Sequence, residues 1–217
     1  MTMDGGPAGS SSWQFKNGST DSEAVETYYD DWAETYEETL EKWHYRAPQD
    51  SVALLAPHLA PGARILDLGC GTGLLAVALG ARGAFSIDGI DISADSLKLA
   101  EQRGGYARLI QHDLQKLPLP VADDAYDAAA SVGVLTYIEE VEPLVRDLCR
   151  CVRSGGAITF TQRTDRWEEC GLPEMLARLE GEGLLTVLQI TEPKPYLPGN
   201  PDFGEDIQVR HSLCRVA

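Results

Sequence analysis

From position 22 to 43 the apolar residues Val25, Tyr28 or Tyr29, Trp32, Tyr36 and Leu40 recur three and four apart, which places an apolar and aromatic stripe on one side of a helix. One long helix and two short helices with a break both satisfy that spacing. Pro48 suits the first turn of a second helix, in which Val52, Leu54, Leu55 and Leu59 recur before Pro61-Gly62 punctuates the chain. The period then changes. Residues 64–68 read as a strand, 74–79 as the start of a helix, 84–90 as a second strand and 96–103 as a helix. Residues 107–111 and 125–131 are extended. Residues 141–152 return to helical spacing and stop at Ser154-Gly155-Gly156, and 157–161 alternate into another strand. Strand, turn and helix repeated in this way predict a mostly parallel sheet covered on both faces, because parallel neighbours need a crossover that is usually a helix. Near the end, 184–190 and 207–216 are β-rich runs around Pro193, Pro195, Pro198, Gly199 and Pro201, and they predict a long hairpin of antiparallel edge strands.

At 217 residues and 43% hydrophobic composition the chain can bury one sizeable core, so one domain with small additions is the economical organisation. Residues 1–20, rich in Gly and Ser, are expected to be a mobile tail, 21–48 a helical lid, and 49–217 the main domain. The formal net charge is −16, and eleven acidic residues against three basic ones fall within positions 1–50. That excess repels a phosphate backbone, so no nucleic-acid partner is expected. An acidic segment can attract a basic protein partner, although such a run is more often simply solvated. The five cysteines, Cys70, Cys149, Cys151, Cys170 and Cys214, have spacings that fit neither a disulfide framework nor a zinc site. Cys149 and Cys151 read as ordinary helix residues, and no metal is expected. Without an apolar run long enough to span a membrane or a secretory pattern, the expectation is a cytoplasmic monomer or dimer.

Chemistry concentrates in Ile65-Leu66-Asp67-Leu68-Gly69-Cys70-Gly71-Thr72-Gly73, where an apolar strand runs into glycines that let backbone approach a ligand. Such a turn serves a dinucleotide pyrophosphate equally well by shape. Asp67, however, would add negative charge beside a phosphate, and charge therefore favours a ligand with a cationic end over a nicotinamide dinucleotide. Asp91 lies 24 residues after Asp67, at the end of the second strand, where a carboxylate can take both hydroxyls of a ribose. After the third strand Asp113 can accept from the exocyclic amino group of a purine, and a neighbouring N–H can donate to its ring nitrogen. Taken singly, either acid is an ordinary surface residue.

Together these motifs resemble the class I S-adenosylmethionine-dependent methyltransferases, with ILDLGCGTG matching their first motif and the likeness covering about residues 49–163. The resemblance implies a Rossmann-like fold of seven strands with S-adenosyl-L-methionine as cofactor and S-adenosyl-L-homocysteine as product. It puts Asp67, Gly69, Cys70 and Gly71 around the methionine part, Asp91 and Ile92 at the ribose, Asp113 and Leu114 at adenine, and Ser131 with Val132 on the methionine side. YDDWAETYEETL at 29–40, Tyr45-Arg46-Ala47-Pro48 and GGAITFTQRTD at 155–165 are similar to the small methyltransferase-like proteins of the Williams-Beuren syndrome region.

Methyl transfer from a sulfonium needs in-line approach and exclusion of water. Tyr29 and Tyr36, seven apart on one helical side, can cover the methionine end and attract the positive sulfur, or pack in the core like Trp32. Arg46 can pair with the cofactor carboxylate or with the acidic lid. Tyr137 stands after the fourth strand where many related enzymes have histidine. Of the four histidines, His44 is nearest the lid as a base and His112 can brace the adenine loop. Arg163 and Asp165 are either acceptor contacts or a surface salt bridge. The expected activity is methyl transfer to a small-molecule acceptor, with transfer to a basic protein segment, or a noncatalytic binding module, as alternatives.

Overall fold

The computed structural model describes residues 18–203 and 206–217; most of the expected tail, residues 1–17, lies outside them. Helix α1 (Ser22–Lys42) is one continuous helix rather than two. Asp21 caps it by accepting from the Ala24 N–H at 2.8 Å, and its apolar stripe buries Val25, Tyr28, Trp32 and Leu40. Helix α2 (Ala47–Leu55) carries Pro48 in its first turn and ends in a single 3-10 turn, Ala56–His58.

Strands and helices then alternate: β1 (Arg64–Leu68), α3 (Leu74–Gly80), β2 (Ser86–Asp91), α4 (Ala94–Arg103), β3 (Arg108–Gln111), β4 (Tyr126–Ser131), α5 (Val141–Cys151) and β5 (Val152–Arg163). After these come a single turn α6 (Thr164–Trp167), α7 (Leu172–Gly181), β6 (Leu185–Ile190), the two-residue β7 (Lys194–Pro195) and β8 (Gln208–Val216). The sheet runs β3-β2-β1-β4-β5-β8-β6, with β7 pairing to β8. β1 to β5 are parallel, and β8 is antiparallel to both β5 and β6.

The seven-strand expectation holds for the main path, and β7 makes an eighth strand. The β6–β8 pair is antiparallel as expected, but only β6 lies at an edge. β8 is inserted between β5 and β6 because its Leu213, Cys214 and Val216 are buried, which suits an interior strand. Helix α7 was not anticipated, although Leu172, Met175, Leu176 and Leu179 form its buried face at helical spacing.

Both sheet faces are covered. On one, Leu144, Val145 and Leu148 of α5 and Leu176 and Leu179 of α7 meet Leu66, Leu68, Ile158 and Phe160. On the other, Val52, Leu55, Leu75 and Leu79 meet Ile65, Ile87, Ala128 and Ala130. A third cluster joins Trp32, Leu40 and Trp43 to Leu197, Phe203 and Ile207. The last helps to hold α1 across the C-terminal ends of the strands. Because β2 and β3 lie to one side of β1 and β4 to the other, the strand order reverses there, and a crevice opens at that point.

Candidate functional site

The loop after β1 is tied to the end of β2. The N–H groups of Gly69 and Cys70 both donate to Ile90 O, at 2.8 and 3.0 Å, and the Gly71 N–H donates to Asp91 Oδ2 at 2.7 Å. Gly69 has φ +65°, and a Cβ there would overlap the Val134 side chain, so both conformation and space exclude a larger residue. Asp91 Oδ1 accepts from the Ser93 N–H at 2.9 Å. Burial pushes the Asp91 carboxyl upward, while hydrogen bonds from Ser93, Gly71 and Ile92 hold it down. Each oxygen keeps a further lone pair for a ligand.

A cleft enclosing about 690 Å³ of atom-free space, its open mouth included, runs past this loop. Gly69, Gly71, Asp91, Ile92, Asp113 and Leu114 form one side, and Tyr29 and Tyr36 of α1 face them. A second cleft of about 340 Å³ shares Tyr36, Gly69, Gly71 and Val132 with the first and adds Tyr45, Asp67, Cys70 and Thr72. The two are thus neighbouring parts of one crevice. Ten of the twelve site residues expected from sequence line it. The other two do not: Arg46 is exposed at the start of α2, and Ser131 is fully buried in the sheet.

Asp113 Oδ1 accepts from the Gln115 N–H at 3.0 Å, which shapes the turn after β3. His112 Nε2 is 2.7 Å from Lys116 O and braces the same turn. The lid is latched to these loops. Asp30 Oδ1 accepts from Ser93 Oγ at 2.6 Å, Gln115 Nε2 donates to Thr20 O at 2.8 Å, and Glu37 pairs with Arg103 of α4. Trp32 is core, 1% exposed, as the spacing suggested.

At the far end of the crevice stands a group of tyrosines. Tyr29 meets Tyr137 edge to face with centroids 5.7 Å apart, and Tyr45 meets Tyr196 at 5.6 Å. Burial pushes the hydroxyls of Tyr29, Tyr36, Tyr45, Tyr137 and Tyr196 above the usual phenol range, so they are neutral donors and acceptors rather than bases. Tyr45 and Tyr196 carry no local signal of a site role, because they come from connections far apart in the chain, one between α1 and α2 and the other between β7 and β8. They converge over Gly133, where a Cβ would stand 2.9 Å from the Tyr45 hydroxyl.

None of the four histidines lines either cleft. His44 and His58 are exposed, His112 serves its turn, and His211 is buried against Ser51 at 2.9 Å. Arg163 is 3% exposed, forms an ion pair with Asp165 and stacks over Phe203 with its guanidinium carbon 4.9 Å from the ring centre, so the two residues do pair, but with the arginine buried rather than in a surface salt bridge. Cys151 is buried and Cys149 half-buried on α5, and no group of ligating side chains suited to a metal occurs among the described residues.

A family model described as a methyltransferase domain matches residues 66–160. Methyltransferase-like protein 27 of Homo sapiens is 35% identical over 165 residues, covering 72% of this chain and 66% of that protein. The 27-O-demethylrifamycin SV methyltransferase of Amycolatopsis mediterranei is 25% identical over 189 residues, covering 83% of this chain and 67% of that protein. The chain thus spans about two thirds of the length of these two relatives. Among solved structures, the [4+2]-cyclase SpnF superposes with a TM-score of 0.62 at 22% identity, covering 77% of this chain and 81% of that one. At that identity the likeness is one of fold alone.

Proposed function

The chain belongs to the class I S-adenosylmethionine-dependent methyltransferases, and from that premise we propose that it transfers the methyl group of S-adenosyl-L-methionine to a small-molecule acceptor, releasing S-adenosyl-L-homocysteine. The observation that carries the reading is the single crevice into which β1, β2 and β3 deliver Asp67, Asp91 and Asp113 beside a glycine loop, under the tyrosines of α1. In this reading Asp91 takes the ribose hydroxyls, Asp113 and Leu114 bind adenine, and Asp67 receives the amino group. Gly69, Cys70, Gly71 and Ile92 supply close backbone. Ser131, buried in the sheet, and Arg46, exposed at the start of α2, have no part in this reading.

Tyr29, Tyr36 and Tyr137 then wall the sulfonium. Their rings exclude water and attract positive charge, and their neutral hydroxyls orient an acceptor without removing its proton. Catalysis rests on positioning, and the acceptor supplies its own lone pair. A cytoplasmic location fits the five free cysteines, and among the described residues no helix is long and apolar enough to cross a membrane.

Incubation with methyl-labelled S-adenosylmethionine and a metabolite extract should yield a labelled small molecule and stoichiometric S-adenosylhomocysteine. Cofactor binding without any S-adenosylhomocysteine formation would replace the reading with a noncatalytic binding module. The eight acidic residues of α1 favour one further outcome, transfer to a basic protein segment, which labelling of a Lys- and Arg-rich peptide in place of metabolites would reveal.

A further inference from the structure

Asp67 is held by a residue outside every motif quoted above. Tyr106 follows α4 in the connection to β3, and its hydroxyl donates to Asp67 Oδ2 at 2.7 Å. Its ring occupies space that side chains would otherwise fill. A Cβ on Gly89 of β2 would stand 2.9 Å from Tyr106 Cε1, and one on Gly73 of the glycine loop 3.2 Å from Cε2. Three residues earlier, Arg103 Nε donates to Thr72 O at 3.0 Å while its guanidinium pairs with Glu37 of the lid. The end of α4 and the turn after it are therefore fastened to both the glycine loop and the carboxylate at its base. With Oδ2 engaged, Oδ1 is left for a ligand on the wall of the second cleft.

We propose that Tyr106 is a positioning residue, which orients Asp67 so that its remaining carboxylate oxygen receives the α-ammonium group of S-adenosylmethionine; the inference rests on the cofactor reading above. The groups facing Asp67 are Tyr106 itself, Cys70 of the glycine loop, Asp91 of β2, and Tyr36 and Tyr45 across the second cleft. Burial pushes the Asp67 carboxyl up to about 7, the Tyr106 hydrogen bond opposes that rise, and the charge of Asp91 adds to it. An ion pair with the ligand needs Asp67 ionised and the amino group protonated. Affinity therefore climbs as pH rises through about 7 and declines once the ligand's α-amino group loses its proton near ~8.

The test is calorimetric titration of the wild type, Tyr106→Phe and Asp67→Asn with two ligands between about pH 5.5 and 9. S-adenosylhomocysteine carries the amino acid end, whereas 5′-methylthioadenosine shares the nucleoside and lacks that end. Tyr106→Phe should move the acid limb of S-adenosylhomocysteine binding to higher pH, with affinity roughly tenfold lower near pH 6.5 and a smaller difference near pH 8. Asp67→Asn should abolish that limb, and 5′-methylthioadenosine should bind all three proteins alike. An unmoved acid limb in Tyr106→Phe, or equal loss for both ligands, overturns the role given to Tyr106. If neither ligand binds the wild type at any pH, the cofactor reading falls and takes the proposal with it.

Discussion

Asp91 illustrates how much one side chain carries here: its two oxygens hold the backbone of the glycine loop and of the turn leading into α4 while facing the crevice. Replacing it with Asn removes the charge and turns one acceptor into a donor opposed to an N–H. Affinity for S-adenosylhomocysteine should fall by about 1–3 kcal/mol, measured by calorimetry, with a smaller loss of thermal stability. His211 makes a second prediction at this scale. Burial, with Lys194 adding to it and Asp50 opposing, lowers its pKa from 6.5 to about 4. The unfolded chain therefore binds a proton at pH values where the folded one does not. The stability tied to neutral His211 is fully present above about 6.5 and is lost as pH falls toward about 4. Urea midpoints measured across that window should decline, and the decline should be shallower in His211→Gln. The acids at 67, 91 and 113 were legible from sequence because each stands at or just past the C-terminal end of a strand, where this topology opens its crevice. Tyr106 and the Tyr45–Tyr196 pair were not, since nothing local marks a side chain that crosses from one connection to another.

At the scale of elements, α1 is bound to the rest of the chain by its apolar stripe and by the linker before β8. Trp32, the largest fully buried side chain among the described residues, packs edge to face on Tyr36 with centroids 4.7 Å apart. Trp32→Ala should cost about 3–5 kcal/mol in chemical denaturation and weaken cofactor binding as well, because the lid that bears Tyr29 and Tyr36 loses its anchor. The Gly199 N–H donates to Trp43 O at 3.2 Å, and a Cβ there would stand 2.8 Å from Trp43 Cα. Backbone cannot yield as a flexible side chain can. Gly199→Ala should therefore loosen the joint between linker and lid, read as faster proteolysis within α1 and about 1–3 kcal/mol of lost stability. The period along the chain marked β1 to β5 and the helices between them, since each repeats its own pattern over several residues. It left α1 open between one helix and two, a choice that the continuous buried face from Val25 to Leu40 resolves. Helix α7 carries a stripe of the same kind, Leu172, Met175, Leu176 and Leu179, within a Glu-rich stretch bounded by glycines.

For the whole molecule, the parallel sheet and the latched lid make cofactor binding and folding one linked equilibrium. S-adenosylhomocysteine at a hundred times its Kd should stabilise the fold by about 2.7 kcal/mol, visible as a rise in Tm, while a nicotinamide dinucleotide at the same concentration should leave Tm unchanged. An equal rise with the dinucleotide would point to pyrophosphate rather than methionine beside the glycine loop. The alternation of strands, glycines and helices, and the acids at the strand ends, were determined by the sequence alone, because periodicity and turn chemistry act between residues close in the chain. Tertiary structure alone decided that β8 enters between β5 and β6, that Ser131 turns into the sheet, that Tyr45 lines the crevice with Tyr196 packed on it, and that Tyr106 reaches Asp67. Those outcomes depend on which buried surfaces fit together across long separations, and that fit is a property of packing in three dimensions rather than of any local pattern.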